Sequence, residues 1–250
     1  MYNIVMQIFK GGEGKVARTK KNKSKIRKRR LFILSSAIAL CIISVIVLCK
    51  NILSKTSDVI SNSTPISNEK TVDLDGHLFL GDSFTVLLEE TIKEHNPNAI
   101  VKAVTGVQPG YWLEHFDELP DNDDVEGVVL LIGVNGAAYS DNIPNKKKLI
   151  SNLVEKYPDK TIYVQEVFPV GQDFKSANPD SFNTAIKNNN QESKAYCDNF
   201  DNVHYINATD GLVTEDGYLK FTTDGLHITS DKQKTFYDNI VAAVDKKKQS

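Results

Sequence analysis

Cysteine is scarce in this 250-residue chain, and its placement excludes two kinds of cross-linked domain. Of the three cysteines, Cys41 and Cys49 fall within one long apolar run, which leaves Cys197 alone in the rest of the sequence. No disulfide can therefore form within that part, and the paired spacing of a zinc finger is also absent. With 40% hydrophobic and 25% charged residues, the composition is typical of a globular protein rather than a disordered or collagen-like one.

Positive charge is scarce beyond the first thirty residues. Residues 1–30 hold eleven lysines and arginines against a single acid, Glu13, which gives this segment a charge of +10. The remaining residues hold 19 basic and 31 acidic side chains, a balance of −12. An acidic domain repels the phosphates that supply most nucleic-acid affinity, so we expect no nucleic-acid partner.

Several catalytic templates are missing as well. The sequence has no G-x-S-x-G, which argues against the α/β-hydrolase fold, and neither G-x-x-x-x-G-K-[ST] nor G-x-G-x-x-G, which excludes the common nucleotide sites. His77, His95, His115 and His204 have no partner at metal-ligand spacing. We therefore expect neither a metal nor an organic cofactor.

The one long apolar run predicts a membrane anchor. Leu31–Cys49 is uncharged over nineteen residues, and a helix of that length spans roughly the 30 Å hydrocarbon core. Two alternatives are a cleaved signal peptide, whose apolar region is usually only about 7 to 15 residues, and a lipoprotein modified at Cys49, where Leu48 is too bulky for the usual preceding residue. We favour an uncleaved single-pass helix.

The charge distribution predicts its orientation. The basic excess directly precedes the span, so by the positive-inside rule the amino terminus is cytoplasmic and the rest of the chain is extracellular, anchored in the cell membrane. Residues after the span are rich in Ser, Thr and Asn, which is typical of a flexible linker. The expected organisation is a basic cytoplasmic tail at 1–30, a transmembrane helix at 31–49, a linker at 50–73 and a globular domain at 74–250.

Within the globular part, short apolar runs alternate with longer amphipathic stretches. The runs predict five strands, at His77–Leu80, Ala99–Val104, Gly127–Ile132, Thr161–Val167 and Val203–Ile206. The longer stretches predict helices at Phe84–His95, Pro109–Leu119, Pro144–Tyr157, Ser181–Phe200 and Asp231–Lys248, the last with Ser230 or Asp231 as a cap. This alternation predicts a parallel sheet covered on both faces, with any ligand beyond the carboxyl ends of the strands.

The first motif at a strand end is Gly81-Asp82-Ser83-Phe84. Glycine permits a sharp exit from the strand, and Ser83 would open the next helix, where the helix dipole favours a developing negative charge. This is a suitable position for a nucleophile. The commoner role for Asp82 or Ser83 would be to cap the helix.

Two further motifs follow the same logic. Gly133-Val134-Asn135-Gly136 comes after the third strand, and Asp224-Gly225-Leu226-His227 precedes the last helix. Asp224 and His227 are close enough in sequence for a hydrogen bond that would fix the imidazole tautomer and leave its second nitrogen free to take a proton from a serine. The alternative is a surface turn that bends at Gly225.

In this order the three motifs resemble those of the SGNH (GDSL-like) hydrolase family, over about His77 to Val244. The resemblance implies a three-layer α/β/α sandwich with a five-stranded parallel, flavodoxin-like sheet, here preceded by the transmembrane helix. It also implies that Ser83 is the nucleophile and that His227 and Asp224 are the base and the acid. The oxyanion hole would comprise Ser83, Gly106 and Asn135.

This chain departs from the family pattern at two places. The third block often reads Gly-x-Asn-Asp, whereas Gly136 stands last here, so a partner that would position the loop is missing. Gly110 competes with Gly106 as the second oxyanion donor, and spacing after the strand favours Gly106.

The expected function is that of a membrane-anchored extracellular serine esterase that removes acetyl or other short acyl esters from surface glycans. Three alternatives remain open: an O-acetyltransferase that uses the same triad with a membrane acyl-donor protein, a lysophospholipase-like lipid esterase, and a non-catalytic surface-binding module on the same fold. The expected partners are the bilayer, through residues 31–49, and a glycan or lipid ester.

Overall fold

The computed structural model describes residues 72–249. The predicted cytoplasmic tail at 1–30, the transmembrane helix at 31–49 and nearly all of the linker at 50–73 lie outside the described residues. Within residues 72–249, no helix combines the length and apolar character needed to cross a bilayer.

The described residues form an alternating β/α domain, which confirms the predicted fold class of this part. Its strands are β1 (His77–Gly81), β2 (Ile100–Ala103), β3 (Gly127–Leu131), β4 (Thr161–Gln165) and β5 (Val203–Ile206). Its α-helices are α1 (Ser83–His95), α2 (Pro109–Glu114), α3 (Asn142–Lys156), α4 (Pro179–Cys197) and α5 (Gln233–Lys248). Short 3₁₀ turns lie at Phe116–Glu118, Asn122–Asp124 and Ser230–Lys232.

All five strands are parallel, in the order β2-β1-β3-β4-β5. Successive side chains of a strand point to opposite faces, so β3 supplies Val128 and Leu130 to one hydrophobic core and Val129 and Leu131 to the other. Helices α1 and α5 pack together on one face, and α3 packs with both α2 and α4 on the other. The result is the expected three-layer α/β/α sandwich.

The helix boundaries differ from the sequence prediction where caps decide them. Helix α4 begins at Pro179 instead of Ser181 because the Asn178 side chain accepts a hydrogen bond from the Ser181 N–H at 3.0 Å. The helix predicted to run from Pro109 to Leu119 ends at Glu114 and continues as a separate 3₁₀ turn.

The predicted cap of the last helix is wrong. Ser230 and Asp231 lie in a 3₁₀ turn, and α5 begins after it at Gln233 without a side-chain cap. The 3₁₀ turn pairs backbone N–H groups that a side-chain cap would otherwise have to satisfy.

Glycine is required at the end of β1. A Cβ atom on Gly81 would lie 2.1 Å from the Thr85 hydroxyl oxygen and 2.4 Å from the Leu131 carbonyl oxygen. No other residue could let the chain turn into α1 while β1 and β3 stay paired. This turn brings Ser83 to the carboxyl edge of the sheet, next to the centre of the strand order.

Candidate active site

Ser83 is the first residue of α1, directly after β1, as the motif predicts. The preceding residue, Asp82, caps the helix, because its Oδ1 accepts a hydrogen bond from the Phe84 N–H at 3.1 Å. The capping role thus belongs to Asp82, which leaves the Ser83 side chain free for another use. The serine sits where the unpaired N–H groups and the dipole of α1 favour negative charge.

The Ser83 hydroxyl meets the loop that precedes α5. Nε2 of His227 lies 2.8 Å from Ser83 Oγ, and Nδ1 of the same ring lies 2.7 Å from Asp224 Oδ2. These residues are 144 positions apart in sequence for the first contact and three for the second. The structure therefore brings Ser83, His227 and Asp224 into one hydrogen-bonded chain at the carboxyl edge of the sheet.

The Asp224 carboxylate is held by more than the imidazole. Its Oδ1 accepts hydrogen bonds from the backbone N–H of Leu226 at 2.9 Å, the N–H of His227 at 2.8 Å and the hydroxyl of Thr222 at 3.1 Å. Partial burial alone would raise the Asp224 pKa, but the donated hydrogen bonds outweigh it and lower the pKa well below its usual range. The carboxylate is therefore charged and oriented toward the imidazole at neutral pH.

Gly106 and Gly110, the two alternative oxyanion donors, occupy different environments. Gly106 lies in the exposed loop after β2, with a positive φ of +79° and open space where a side chain would project. Gly110 lies inside α2, and a Cβ there would point at Asn145 of α3. Gly110 thus packs against α3, whereas the Gly106 loop is open to a ligand, so the geometry favours Gly106.

Asn135 lies in the loop after β3, beside the Gly106 loop. Its Nδ2 donates a hydrogen bond to the Val107 carbonyl at 3.1 Å, which ties the two loops together. A side-chain amide has two N–H groups, so one remains for a further acceptor. The structure thus brings Gly106 and Asn135 together on adjacent loops.

The structure accounts for glycine where the family often has aspartate. Gly136 has a φ of +68°, and a Cβ there would lie 2.7 Å from the Gln108 side chain and 2.9 Å from the Tyr139 ring. Two asparagines position the loop instead. Asn142 donates to the Asn135 carbonyl at 2.8 Å, and Asn189 of α4 donates to the Ala137 carbonyl at 2.7 Å.

Two buried side chains of opposite charge, Asp82 and Lys146, were not predicted. Asp82 and Lys146 are each only 1% exposed, and the Lys146 side chain packs against Gly133. Burial raises the Asp82 pKa to about 6, although the Phe84 and Gly133 N–H groups and the Lys146 charge oppose this shift. Burial lowers the Lys146 pKa to about 8. In sequence Lys146 looks like one of three solvated lysines in a row, so no signal distinguishes it.

Two asparagines of α4 hold the loop after β4. The Asn190 amide accepts from the Val167 N–H at 3.1 Å and donates to the Val167 carbonyl at 2.8 Å. Asn183 does the same with Val170, at 2.7 Å and 3.0 Å. Their spacing of seven residues, two helical turns, places both amides on one face of α4, but this spacing alone does not distinguish them from exposed polar residues.

Two aromatic residues of α2, Tyr111 and Trp112, follow the Gly106 loop in sequence. Trp112 is buried and donates from its indole N–H to the Gly81 carbonyl at 3.0 Å, so it supports the turn that precedes Ser83. Tyr111 stacks on His115 with ring centroids 4.1 Å apart. Trp112 therefore has a packing role.

No protein-family model matches the chain, and no curated protein sequence matches it either. Solved structures do match. A candidate platelet activating factor from Streptococcus pneumonia superposes with a TM-score of 0.59 at 23% identity, over 79% of this chain and 96% of that one. A GDSL-like lipase from Bacteroides thetaiotaomicron superposes with a TM-score of 0.54 at 20% identity, over 76% and 93% of the two chains.

A third match carries out group transfer. The C-terminal catalytic domain of peptidoglycan O-acetyltransferase A from Streptococcus pneumoniae has a TM-score of 0.50 at 16% identity and covers 71% of this chain and 97% of its own. At sequence identities this low, the structural matches establish a shared fold and nothing further. The domain thus has the fold of GDSL-like lipases, acylhydrolases and an O-acetyltransferase domain.

Proposed function

We propose that the protein is a serine esterase of the SGNH type that acts on short acyl esters. The observation that carries this proposal is the chain of hydrogen bonds from Ser83 Oγ through the His227 ring to Asp224. Neighbours of the same fold include GDSL-like lipases and acylhydrolases, which supports a hydrolase of this type. If the segment from Asp224 to His227 were only a surface turn, no serine would be needed beside the second nitrogen of the His227 ring.

The reaction proceeds through a covalent ester on Ser83. His227 Nε2 takes the hydroxyl proton as Oγ attacks the ester carbonyl, and Asp224 stabilises the imidazolium that forms. The negative oxygen receives hydrogen bonds from the Ser83 and Gly106 N–H groups and the Asn135 amide, and each preorganised donor is worth on the order of 3 kcal/mol. His227 then protonates the leaving alkoxide, and the acyl group remains on the serine.

The second step distinguishes an esterase from a transferase. If water attacks the acyl serine, the product is a free acid, and if a sugar hydroxyl attacks, the acyl group moves to a new alcohol. The similarity to an O-acetyltransferase catalytic domain favours transfer as the second candidate function. In that case a separate membrane protein would supply the acyl group.

The proposed location follows from the head of the sequence. An uncleaved helix at 31–49, with the basic residues 1–30 inside the cell, would place the domain outside on a linker of about twenty residues. Such a flexible linker reaches about 25 Å, which favours surface glycans or lipid esters close to the bilayer. Acetyl esters of a cell-surface glycan are the first proposed substrate and lysophospholipids the second.

The chain-length preference of the enzyme tests the substrate class. The full chain is assayed with p-nitrophenyl esters from acetate to palmitate, with Ser83→Ala as the matched control. We expect release from acetate and no release by the control. Preference for long acyl chains would favour the lipid esterase, and no release from any ester would contradict the proposed function.

The partition of the acyl group tests esterase against transferase. Oligosaccharide acceptors are added to the p-nitrophenyl acetate reaction, and acetylated sugar is measured beside free acetate. A ratio of sugar ester to acetate that rises with acceptor concentration would establish transfer. Free acetate alone, at every acceptor concentration, would identify an esterase.

A separate experiment tests the topology. Protease added to intact cells should remove the domain and spare a tag placed on the basic head. Protection of the domain would contradict the proposed orientation without bearing on the catalytic assay.

A further inference from the structure

Three adjoining cavities line the side of the domain that carries β5. Their volumes are about 470, 570 and 390 Å³, each within the range of about 300 to 1,000 Å³ typical of ligand sites. Asp216 and Tyr218 line both the first and the second cavity, and Glu166, Lys194 and Tyr205 line both the second and the third. The three cavities therefore adjoin one another, and together they are here called the β5 groove.

One end of the groove adjoins the catalytic loop. The first cavity is lined by Phe221 and Thr222, and the Thr222 hydroxyl donates to Asp224 Oδ1 at 3.1 Å. Phe221 is one of only three large hydrophobic side chains that are exposed within residues 72–249. The groove thus begins at Thr222, one hydrogen bond away from Asp224.

The middle and the far end lead away from the site. The second cavity lies between α4 and the segment that follows β5, with Gln191 on the α4 side and Val213 on the other. The third cavity reaches α5 at Ala242 and Lys246. A ligand that fills the groove must therefore be extended, and one end of it would lie next to the catalytic loop.

The charges in the groove are nearly balanced. Its acidic side chains are Glu166, Asp173, Asp180, Asp210 and Asp216. Its basic side chains are Lys187, Lys194, Lys246 and Lys247. A polyanion would need a clear basic excess and a polycation a clear acidic one, because like charges at an interface are costly. The balance favours an occupant without net charge.

The remaining lining is suited to hydroxyl groups and sugar rings. Amide and hydroxyl side chains such as Gln172, Thr184, Gln191 and Asn207 both donate and accept hydrogen bonds, as a polyhydroxylated ligand requires. Tyr218 presents an aromatic ring at the junction of the first two cavities, and its hydroxyl donates to Asp180, which fixes the ring. Apolar side chains such as Pro169 and Val213 complete the lining and suit the apolar faces of sugar rings.

From this shape, charge and lining we infer that the β5 groove binds an extended neutral oligosaccharide and so holds a glycan polymer beside the loop that carries Asp224 and His227. The inference rests on the proposed function for the role of Ser83 and names the class of its substrate. The groove adds affinity for the polymer without touching the reacting ester, so it should matter for long substrates and not for small ones.

Two matched variants of α4 test the inference. Gln191→Trp places a bulky ring in the groove, whereas Asn188→Trp places the same ring on an exposed position of the same helix that does not line it. Both are made in the full chain carrying Ser83→Ala, which prevents turnover. Binding is measured by calorimetry with three neutral probes, the tetrasaccharides of xylan, chitin and cellulose, and with polygalacturonate as the anionic probe.

We expect at least one neutral tetrasaccharide to bind, more tightly than its monosaccharide, with affinity lowered about tenfold or more by Gln191→Trp and unchanged by Asn188→Trp. Absence of binding by all three neutral probes, preference for polygalacturonate, or equal loss in both variants would overturn the inference. When Ser83 is retained, hydrolysis of p-nitrophenyl acetate should be the same for Gln191→Trp as for Asn188→Trp. Failure of that small-ester reaction with intact sugar binding would contradict the proposed function and leave the groove in place.

Discussion

The side-chain amide of Asn183 brackets the backbone of Val170, accepting from its N–H at 2.7 Å and donating to its carbonyl at 3.0 Å. The next residue, Gly171, donates from its N–H to the Gly225 carbonyl at 2.7 Å, within the loop that carries Asp224 and His227. Helix α4 is therefore connected to the catalytic loop through three consecutive hydrogen bonds. This connection supports the proposed base, His227, from a helix that contributes none of the proposed catalytic side chains.

Replacing Asn183 should affect both folding and catalysis. Asn183→Ala leaves the N–H of the buried Val170 without its partner, while the Val170 carbonyl keeps the Leu219 N–H at 3.3 Å, so we expect the free energy of unfolding to fall by about 1 to 3 kcal/mol. Because the loop that holds His227 loses its support, kcat for p-nitrophenyl acetate should also fall, measured per folded molecule well below the melting temperature. The exposed Asn188→Ala is the control. A loss of stability with unchanged kcat would show that Asn183 has no part in positioning the loop.

Covalent labelling tests the nucleophile and its base separately. A fluorophosphonate probe should label the wild-type protein at Ser83 and should not label Ser83→Ala. His227→Ala should label far more slowly, because no group accepts the serine proton, and it should keep its fold because the imidazole is partly exposed at the edge of the domain. Labelling at equal rates in all three proteins would contradict the triad, and circular dichroism checks that each remains folded.

Asp82 predicts a pH dependence of stability. Its pKa is raised by burial to about 6 from a usual value of 3.8, so between about pH 4 and pH 6 the folded state binds more protons at this site than the unfolded state. The contribution of Asp82 to the free energy of unfolding therefore falls as pH rises through that window, and it stays lower at higher pH. Relative to Asp82→Asn, the wild type should lose on the order of 3 kcal/mol between pH 4 and pH 7.

Urea unfolding of both proteins at pH 4, 5, 6 and 7 measures this difference, because all other titrating groups are shared. A constant difference would contradict a buried, titrating Asp82. Lys146→Met extends the test, since loss of the buried positive charge removes an interaction that lowers the Asp82 pKa. In the Lys146→Met protein, the free energy of unfolding should therefore continue to fall to a higher pH.

The sequence was informative where a residue's role depends on local chain geometry. The turn at Gly81, the helix start at Ser83 and the Asp224 to His227 contact each need only a few consecutive residues, and short apolar runs were enough to predict the five parallel strands. The strand ends also indicated the correct edge of the sheet, because parallel strands share one carboxyl edge.

The supporting contacts could not be predicted because they join distant segments. Asn183 and Asn190 read as polar surface positions until the loop after β4 is placed against α4, and Lys146 reads as solvated until α3 is packed over Gly133. Whether a polar side chain is buried depends on the tertiary arrangement, which periodicity within one helix does not specify. The β5 groove could not be predicted from the sequence either, since its lining comes from four separate stretches of chain.

Asn135 allows the oxyanion role to be separated from a structural one. Its amide donates to the Val107 carbonyl at 3.1 Å, so Asn135→Ala removes both a tie between two loops and the proposed donor to the oxyanion. If the second N–H faces the developing negative charge, its loss removes an interaction made mainly in the transition state. We then expect kcat to fall by roughly 10²- to 10³-fold with little change in KM.

Asn142→Ala supplies the control, because Asn142 donates to the Asn135 carbonyl at 2.8 Å and so supports the same loop without serving as the proposed donor. This variant should lose about 1 kcal/mol of stability and far less than 10²-fold in kcat. Asn135→Asp adds a third comparison, since a carboxylate of the same shape cannot donate and repels the oxyanion. If Asn142→Ala lowers kcat as far as Asn135→Ala does, the effect of Asn135 arises from loop position. If Asn135→Asp is at least as slow as Asn135→Ala and melts at the wild-type temperature, the loss of activity arises from the missing hydrogen bond to the developing negative charge on the oxyanion.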